Sequence, residues 1–354
     1  MDQAKQILIV GGGLAGAFLA AESVRAGHAV VLVDEERPNA ASHVAAGLYN
    51  VITGRMATKT WMAEPFLQAL DDFFSHELHA PLRRFFHPHP IYRPYKTISE
   101  CNEWFFRSAE ASYAPLTRHI SAPRDPDRIH NPLGGLEITP CGWLEAGSFV
   151  TALKELLVEA GKMEWIRERF DHAALDAGRM QVNLGGKMRR FDEVVFAEGT
   201  GLLDNPLFDW VDLRPLKGQV LEIEMEGLPE DYILLRKVYL VPRGPSRYVV
   251  GSTYEKIFSD LAPTNEGVDA LKRMVAEATP LPFRLLEARA GARPTTPNRR
   301  PIVGRHPHFP GICIFNGLGT KGVLQGPWCA REFRQWLDGK SAELPRDVRL
   351  ERFG

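Results

Sequence analysis

The chain has 354 residues, 44% hydrophobic and 25% charged, with a formal charge of -1 at pH 7. Such a length buries a sizeable core and predicts two domains, and the balanced charge gives no global electrostatic case for nucleic acid or anionic membrane. Cys101, Cys141, Cys313 and Cys329 lack disulfide-framework or metal-ligand spacing, and no apolar run reaches a membrane span, so a reducing, cytoplasmic setting is expected.

The first 35 residues carry the strongest pattern. Ile7-Leu8-Ile9-Val10 reads as a strand buried on both faces and runs into Gly11-Gly12-Gly13-Leu14-Ala15-Gly16. In this motif Gly11 makes the turn, Gly13 clears the approach of a diphosphate, and Gly16 lets the following helix pack on the strand. Leu14 to Ala26 is the helix, stopped by Gly27, with its positive end toward the ligand. A second strand, Ala29 to Val33, ends at Asp34, placed to accept hydrogen bonds from an adenosine ribose. The motif predicts a dinucleotide and leaves FAD and NAD both open.

Residues 38–54 read as a loop whose small residues, Ala40 to Gly47, permit close approach of a flat or phosphorylated ligand. Tyr49, Asn50, Thr53 and Arg55 add polar groups along it. Trp61, Phe66, Leu70, Phe73, Phe74 and Leu78 have helical spacing and predict an amphipathic helix. Residues 79–140, rich in proline, aromatics and arginine, predict strands and loops of a second domain. His87 and His89 lack further ligands at metal spacing, and no metal is expected there.

Helical periodicity returns over 147–160, followed by the short strand 163–166. Strands over 179–184 and 191–197 lead to Glu198-Gly199-Thr200-Gly201, a turn suited to return to the dinucleotide. Three further strands, 218–224, 237–243 and 247–252, predict an antiparallel or mixed sheet on the substrate side. After a helix over 267–277 come Arg289, Arg293, Arg299, Arg300 and Arg305, then a strand over 311–316, the turn Gly317 to Gly322, and a last helix to Leu337. Strand, turn and helix repeat the opening architecture and predict a return to the cofactor domain.

Together these blocks resemble the FAD-dependent oxidoreductases of the D-amino-acid oxidase superfamily, in the branch of glycine oxidase and sarcosine oxidase. The resemblance spans nearly the whole chain. It is carried by Gly11-x-Gly13-x-x-Gly16 with Asp34, Ala45-Ala46-Gly47-Leu48, Val194 to Gly199, Leu216-Lys217-Gly218-Gln219, and Tyr239 to Arg243 before Gly251-Ser252-Thr253. Ala290 to Pro297 with Pro301 to Gly304, and Gly317 to Gly322, complete it.

The resemblance implies an α/β protein: a Rossmann-like FAD-binding domain from segments 1–78, 141–210 and 288–354, and an inserted α+β substrate domain, 79–140 and 211–287, with a mixed or antiparallel sheet. It implies FAD contacts at Gly11, Gly13, Ala15, Gly16, Asp34, Glu35, Ala46, Gly47, Phe170, Ala197, Gly199, Gly291, Arg293, Gly319, Thr320, Lys321 and Gly322. It further implies hydride transfer from the carbon beside an amine to flavin N5, giving an imine, with Arg293 forked onto the substrate carboxylate and Tyr239 as its partner. Lys321 is expected near the flavin or substrate, and Tyr49, Asn50 and Arg55 along the pocket.

Three departures qualify that pattern. Asp34 stands where the family commonly has glutamate. No cysteine lies in 289–297, where relatives attach flavin covalently, so noncovalent FAD is expected. The strand Tyr248-Val249-Val250 lacks the lysine that aids reaction with oxygen, so the electron acceptor is oxygen or another compound. The expected partner is a small amine or amino acid. Competing readings are a 2-hydroxy-acid dehydrogenase, an oxidase of a tRNA wobble-uridine side chain, and a non-catalytic flavin-binding protein.

Overall fold

A computed structural model describes residues 4–54 and 57–353. The main elements begin with β1 (Gln6–Val10), α1 (Leu14–Arg25), β2 (Ala29–Val33) and α2 (Ala63–Ser75). They continue through β3 (Ile91–Pro94), β4 (Thr117–Ile120), β5 (Gly135–Ile138), α3 (Ala146–Glu159), β6 (Met163–Ile166) and β7 (Glu193–Phe196). Then follow β8 (Arg214–Glu224), β9 (Ile233–Leu235), β10 (Tyr239–Pro242), β11 (Arg247–Gly251), α4 (Asn265–Ala278) and β12 (Arg284–Thr295). The last are β13 (Ile302–Arg305), β14 (Ile312–Asn316) and α5 (Gly322–Leu337).

Two sheets organise these elements. The first runs β6-β2-β1-β7-β14-β13, parallel except for the β13–β14 pair. Alternation along β1 sends Ile7 and Ile9 toward α1 and α3, and Leu8 and Val10 toward Val182, Phe191, Leu202 and Phe208 on the other face. Both faces are therefore apolar and covered, as the uninterrupted hydrophobic run predicts. The fold is the expected α/β architecture of a Rossmann-like sheet joined to a second, mixed sheet.

That second sheet runs β12-β8-β11-β10-β9-β3-β5-β4 and is antiparallel except between β9 and β3. Leu221 and Ile223 of β8 point toward α4, where Leu271 and Val275 complete a buried cluster. Val220, one residue out of phase, packs instead on Val44 from the first part of the chain. The odd face of β8 thus forms a core, and its even face turns toward the nucleotide loops.

The structure differs from the sequence reading at two elements. β12 is a continuous strand whose Arg293 pairs with Leu216, so residues 288–295, assigned above to the cofactor segments, belong to the second sheet. Its Leu, Glu, Ala and Arg content gives little strand signal, and pairing along the length of β8 overrides it. Within 79–140, expected to hold strands and loops, Ile98–Arg107 is a helix capped by Thr97, whose Oγ1 accepts from the Glu100 amide at 3.1 Å. Among the described residues no helix is long and apolar enough to cross a membrane.

Candidate active site

The two sheets face one another across a cleft of about 1630 Å³. This exceeds the size usual for a single small ligand and leaves room for a dinucleotide and a substrate together. At its floor, Gly11 has φ +97°, and an added Cβ would lie 2.6 Å from the Ala197 carbonyl oxygen. The phosphate loop therefore packs on the end of β7 and leaves its outer side open. Gly13 is the N-cap of α1 and offers no side-chain cap; Ser42 Oγ accepts from the Leu14 amide at 3.0 Å. The remaining amide donors of the first turn are of the kind that suits an anion at a helix N-terminus.

Asp34 also lines this cleft. Its Oδ2 lies 3.0 Å from the Nζ of Lys154, whose side chain is fully buried in α3, and Glu36 Oε1 lies 3.2 Å from the same ammonium. The ammonium also sits 4.1 Å from the centre of the Trp165 ring. Sequence reasoning missed Lys154; its signal is a lone lysine among Phe149, Val150, Leu153 and Leu157 on the apolar face of α3. Glu35 lines the cleft too, paired with Arg37.

Ala15, Ala46, Gly47, Phe170, Ala197, Gly199, Gly291, Gly319, Thr320 and Gly322 all line the cleft. Several do so because of tight backbone packing: Gly47 abuts the Leu144 carbonyl, and Gly291 would place a Cβ 3.0 Å from the Asn39 oxygen. Gly16 does not reach the cleft; it lies against the Gly11 carbonyl and sets how closely α1 approaches β1. Two groups near the nucleotide end went unread in the sequence. His172 Nε2 is 2.8 Å from Glu198 Oε1, and Asn205 Nδ2 donates to Glu198 Oε2 at 2.8 Å. The hydrogen bond to Glu198 holds the His172 imidazole above its ordinary pKa.

At the other end, β12 brings Arg293 over β8. Gly218 makes this possible, because a Cβ there would collide with the guanidinium. Arg293 Nη2 donates to Ser252 Oγ, its Nη1 is buried without a hydrogen-bond partner, and the Tyr254 ring centre lies 5.2 Å from its Cζ. Among the described residues no carboxylate pairs with it. Burial pulls its pKa below the ordinary arginine value.

Tyr239 pairs with Gly251 in the sheet, directly before Ser252, so the same strand edge carries both groups. Its hydroxyl accepts from Asn50 Nδ2 at 3.3 Å, and Asn50 Oδ1 accepts from the Ile52 amide at 2.9 Å. Burial pushes the phenol up to about 12, so it is a neutral hydroxyl at ordinary pH. Lys321, at the start of α5, donates from Nζ to Thr53 Oγ1 and Thr60 Oγ1, both at 2.9 Å. Burial, with Arg300 and Arg299 nearby, brings it down to about 8. Arg300 rests 4.3 Å from the Trp61 ring centre.

Tyr49 stands apart from the cleft. It is buried and stacked on Phe86 at 5.1 Å, because alternation along the short strand Leu48–Tyr49 sends Leu48 to the cleft and Tyr49 to the opposite face. Its expected place in the pocket is corrected to the core. Arg55 lies outside the described residues.

Fold and cleft define a two-sheet α/β protein in which a glycine-rich loop on one sheet shares a cleft with an arginine and a tyrosine on another. The chain belongs to the DAO family, described as FAD dependent oxidoreductase, which matches residues 6–336. It is 27% identical over 259 residues to the tRNA 5-methylaminomethyl-2-thiouridine biosynthesis bifunctional protein MnmC of Idiomarina loihiensis, covering 68% of this chain and 41% of that protein. Against a glycine oxidase of Pseudomonas aeruginosa it is 29% identical over 157 residues, 43% of each chain. The chain thus spans about half or less of the length of these two curated relatives.

Among solved structures, iminodiacetate oxidase from a Chelativorans species superposes with a TM-score of 0.80 at 21% identity over 98% of both chains. A glycine oxidase from Bacillus cereus does so at 0.77 and 20% identity, over 95% of this chain and 96% of that one. These establish the fold. The glycine cradle, the uncapped start of α1 and the acid at the end of β2 fit the adenosine diphosphate half of FAD.

Proposed function

We propose that this protein oxidises a small amine or amino acid to an imine, with FAD held noncovalently. The observation that carries this reading is Arg293, a half-buried side chain lining the cleft that pairs with no described carboxylate and whose buried Nη1 has no hydrogen-bond partner. Such a fork fits a planar carboxylate. FAD, when bound, supplies the two-electron acceptor that takes the hydride from the carbon beside the substrate nitrogen.

This chain's residues supply the rest. The phosphate loop, α1 and Asp34 hold the adenosine half. Arg293 orients the carboxylate, and the neutral Tyr239 hydroxyl, fixed by Asn50, donates a second hydrogen bond. Together they align the reacting carbon, which is where a large part of rate enhancement arises. Lys321, tied to Thr53 and Thr60, brings positive charge to the far side of the cleft.

The test is anaerobic bleaching of the bound flavin by a panel of amines, amino acids and hydroxy acids. Bleaching by an amine, lost in Arg293→Ala for carboxylate-bearing compounds, is the expected result. Bleaching by hydroxy acids alone would replace the amine by a hydroxyl. Repetition in air with peroxide detection separates oxygen from another acceptor. A second reading, an amine carried on a tRNA uridine, is supported by the similarity to the bifunctional tRNA proteins; there, modified RNA and no free amine would bleach the flavin.

A further inference from the structure

The residues lining the cleft include twelve lysines and arginines and five aspartates and glutamates, an imbalance opposite in sign to the whole chain's -1. A diphosphate accounts for part of it at the nucleotide end. It does not account for cations on the second sheet, far along the chain from the phosphate loop.

One of these is set in register with Arg293. After β11 the chain continues beside β8: the Lys217 amide donates to the Glu255 carbonyl at 3.0 Å, and the Glu255 amide to the Lys217 carbonyl at 2.9 Å. The Glu255 side chain is fastened at its base, accepting from Gln219 Nε2 and Thr253 Oγ1, each at 2.7 Å. The next residue, Lys256, therefore emerges beside Leu216, whose other neighbour across the sheet is Arg293. Two strand spacings separate the Lys256 and Arg293 backbones, roughly 10 Å. Alternation sends 252, 254 and 256 to the cleft, with Leu216 and Gly218, while Lys217 turns inward.

Lys256 is exposed and has no carboxylate partner among the described residues, since Glu255 is engaged as above and Asp260 lies toward Lys217 at 3.8 Å. Across the cleft rim, at the ends of β3 and β9, Lys96 and Arg236 add positive charge, although both act on the Glu277 carboxylate and Arg236 Nη1 donates to the His130 carbonyl. Tyr254, two residues before Lys256, is exposed, and its ring centre lies 5.2 Å from the Arg293 Cζ.

We propose that the substrate carries two anionic groups: a carboxylate on Arg293, and a second acid group bound by Lys256 at the rim. The inference rests on the amine-oxidation reading and narrows it to amines with two acid groups, of which iminodiacetate is a small example. A monocarboxylate leaves Lys256 to solvent; a dianion spans both cations along one sheet face.

The flavin-loaded protein tests this with two pairs of compounds. Iminodiacetate against sarcosine reads anaerobic flavin bleaching, and the non-oxidisable pair oxydiacetate and methoxyacetate reads binding by calorimetry. Wild type is expected to favour the dianion in both pairs. Lys256→Ala is expected to reduce that preference about fivefold, the scale of one partly exposed ion pair, and Lys256→Glu to reduce it further. A preference absent from wild type, or unchanged in both variants, overturns the proposal. So does an oligonucleotide that displaces oxydiacetate from a protein whose flavin no small amine bleaches, because the rim then serves a polymer. If no amine bleaches the flavin yet oxydiacetate binds through Lys256, the reaction assignment fails while the anionic subsite stands.

Discussion

The ammonium of Lys154 lies 3.0 Å from Asp34 Oδ2, although the two residues are 120 positions apart. Each restrains the other: the lysine is fully buried and needs its carboxylates, and the aspartate is held with one oxygen engaged. Lys154→Met leaves Asp34 without its cation and Glu36 with Arg167 alone, 3.6 Å away. Breaking a buried pair in this way costs about 3 kcal/mol. The melting temperature should fall, and a fluorescence titration should show FAD affinity weakened by about tenfold or more as Asp34 loses its orientation. Lys154→Arg should recover part of both.

Gly218 decides where Arg293 lies. In Gly218→Ala the new methyl meets the guanidinium, which must shift from its position over β8. FAD binding should persist, because the phosphate loop is on the other sheet. Half-saturation for a carboxylate substrate should rise by about tenfold or more, consistent with loss of a charge-assisted fork. An unchanged value would show that Arg293 does not bind the carboxylate from this position.

Lys321 gives a pH signature in the apoprotein. Its folded pKa, about 8, is below the ordinary lysine value of 10.5, so the folded state releases a proton that the unfolded chain keeps between those values. Stability contributed by this group therefore rises with pH across that window, and the cost of burying the ammonium is full below pH 8. Compared with Lys321→Met, the wild type should gain melting temperature between pH 8 and 10.

His172 and Glu198 give the opposite slope. The imidazole is raised above 6.5 by its hydrogen bond to Glu198. Its stabilisation is fully present below 6.5 and is lost as pH rises through the raised value. The melting-temperature advantage of wild type over Glu198→Gln should thus be largest at pH 5.5 to 6 and shrink above neutrality.

The nucleotide end was legible because its signals are local. A strand buried on both faces, glycines at fixed offsets and an acid at the next strand's end lie within 35 residues, and periodicity located α1, α3, β6 and α5 to within a residue or two. Tyr49 illustrates where local reading fails. It sits between Leu48 and Asn50, which both line the cleft, yet its own ring enters the core, and only the position of the surrounding sheet tells which neighbour faces the cleft.

By itself, then, the sequence determined the class of fold and the dinucleotide motif, since backbone conformation and hydrophobic period are properties of short stretches, while the candidacy of Arg293, Tyr239 and Lys321 came from the family resemblance. Tertiary structure decided the partners. Lys154 under Asp34, Gly218 beneath Arg293 and Lys256 in register beyond Leu216 arise from contacts between segments many residues apart. Such pairings depend on strand register and helix docking, which no single segment encodes.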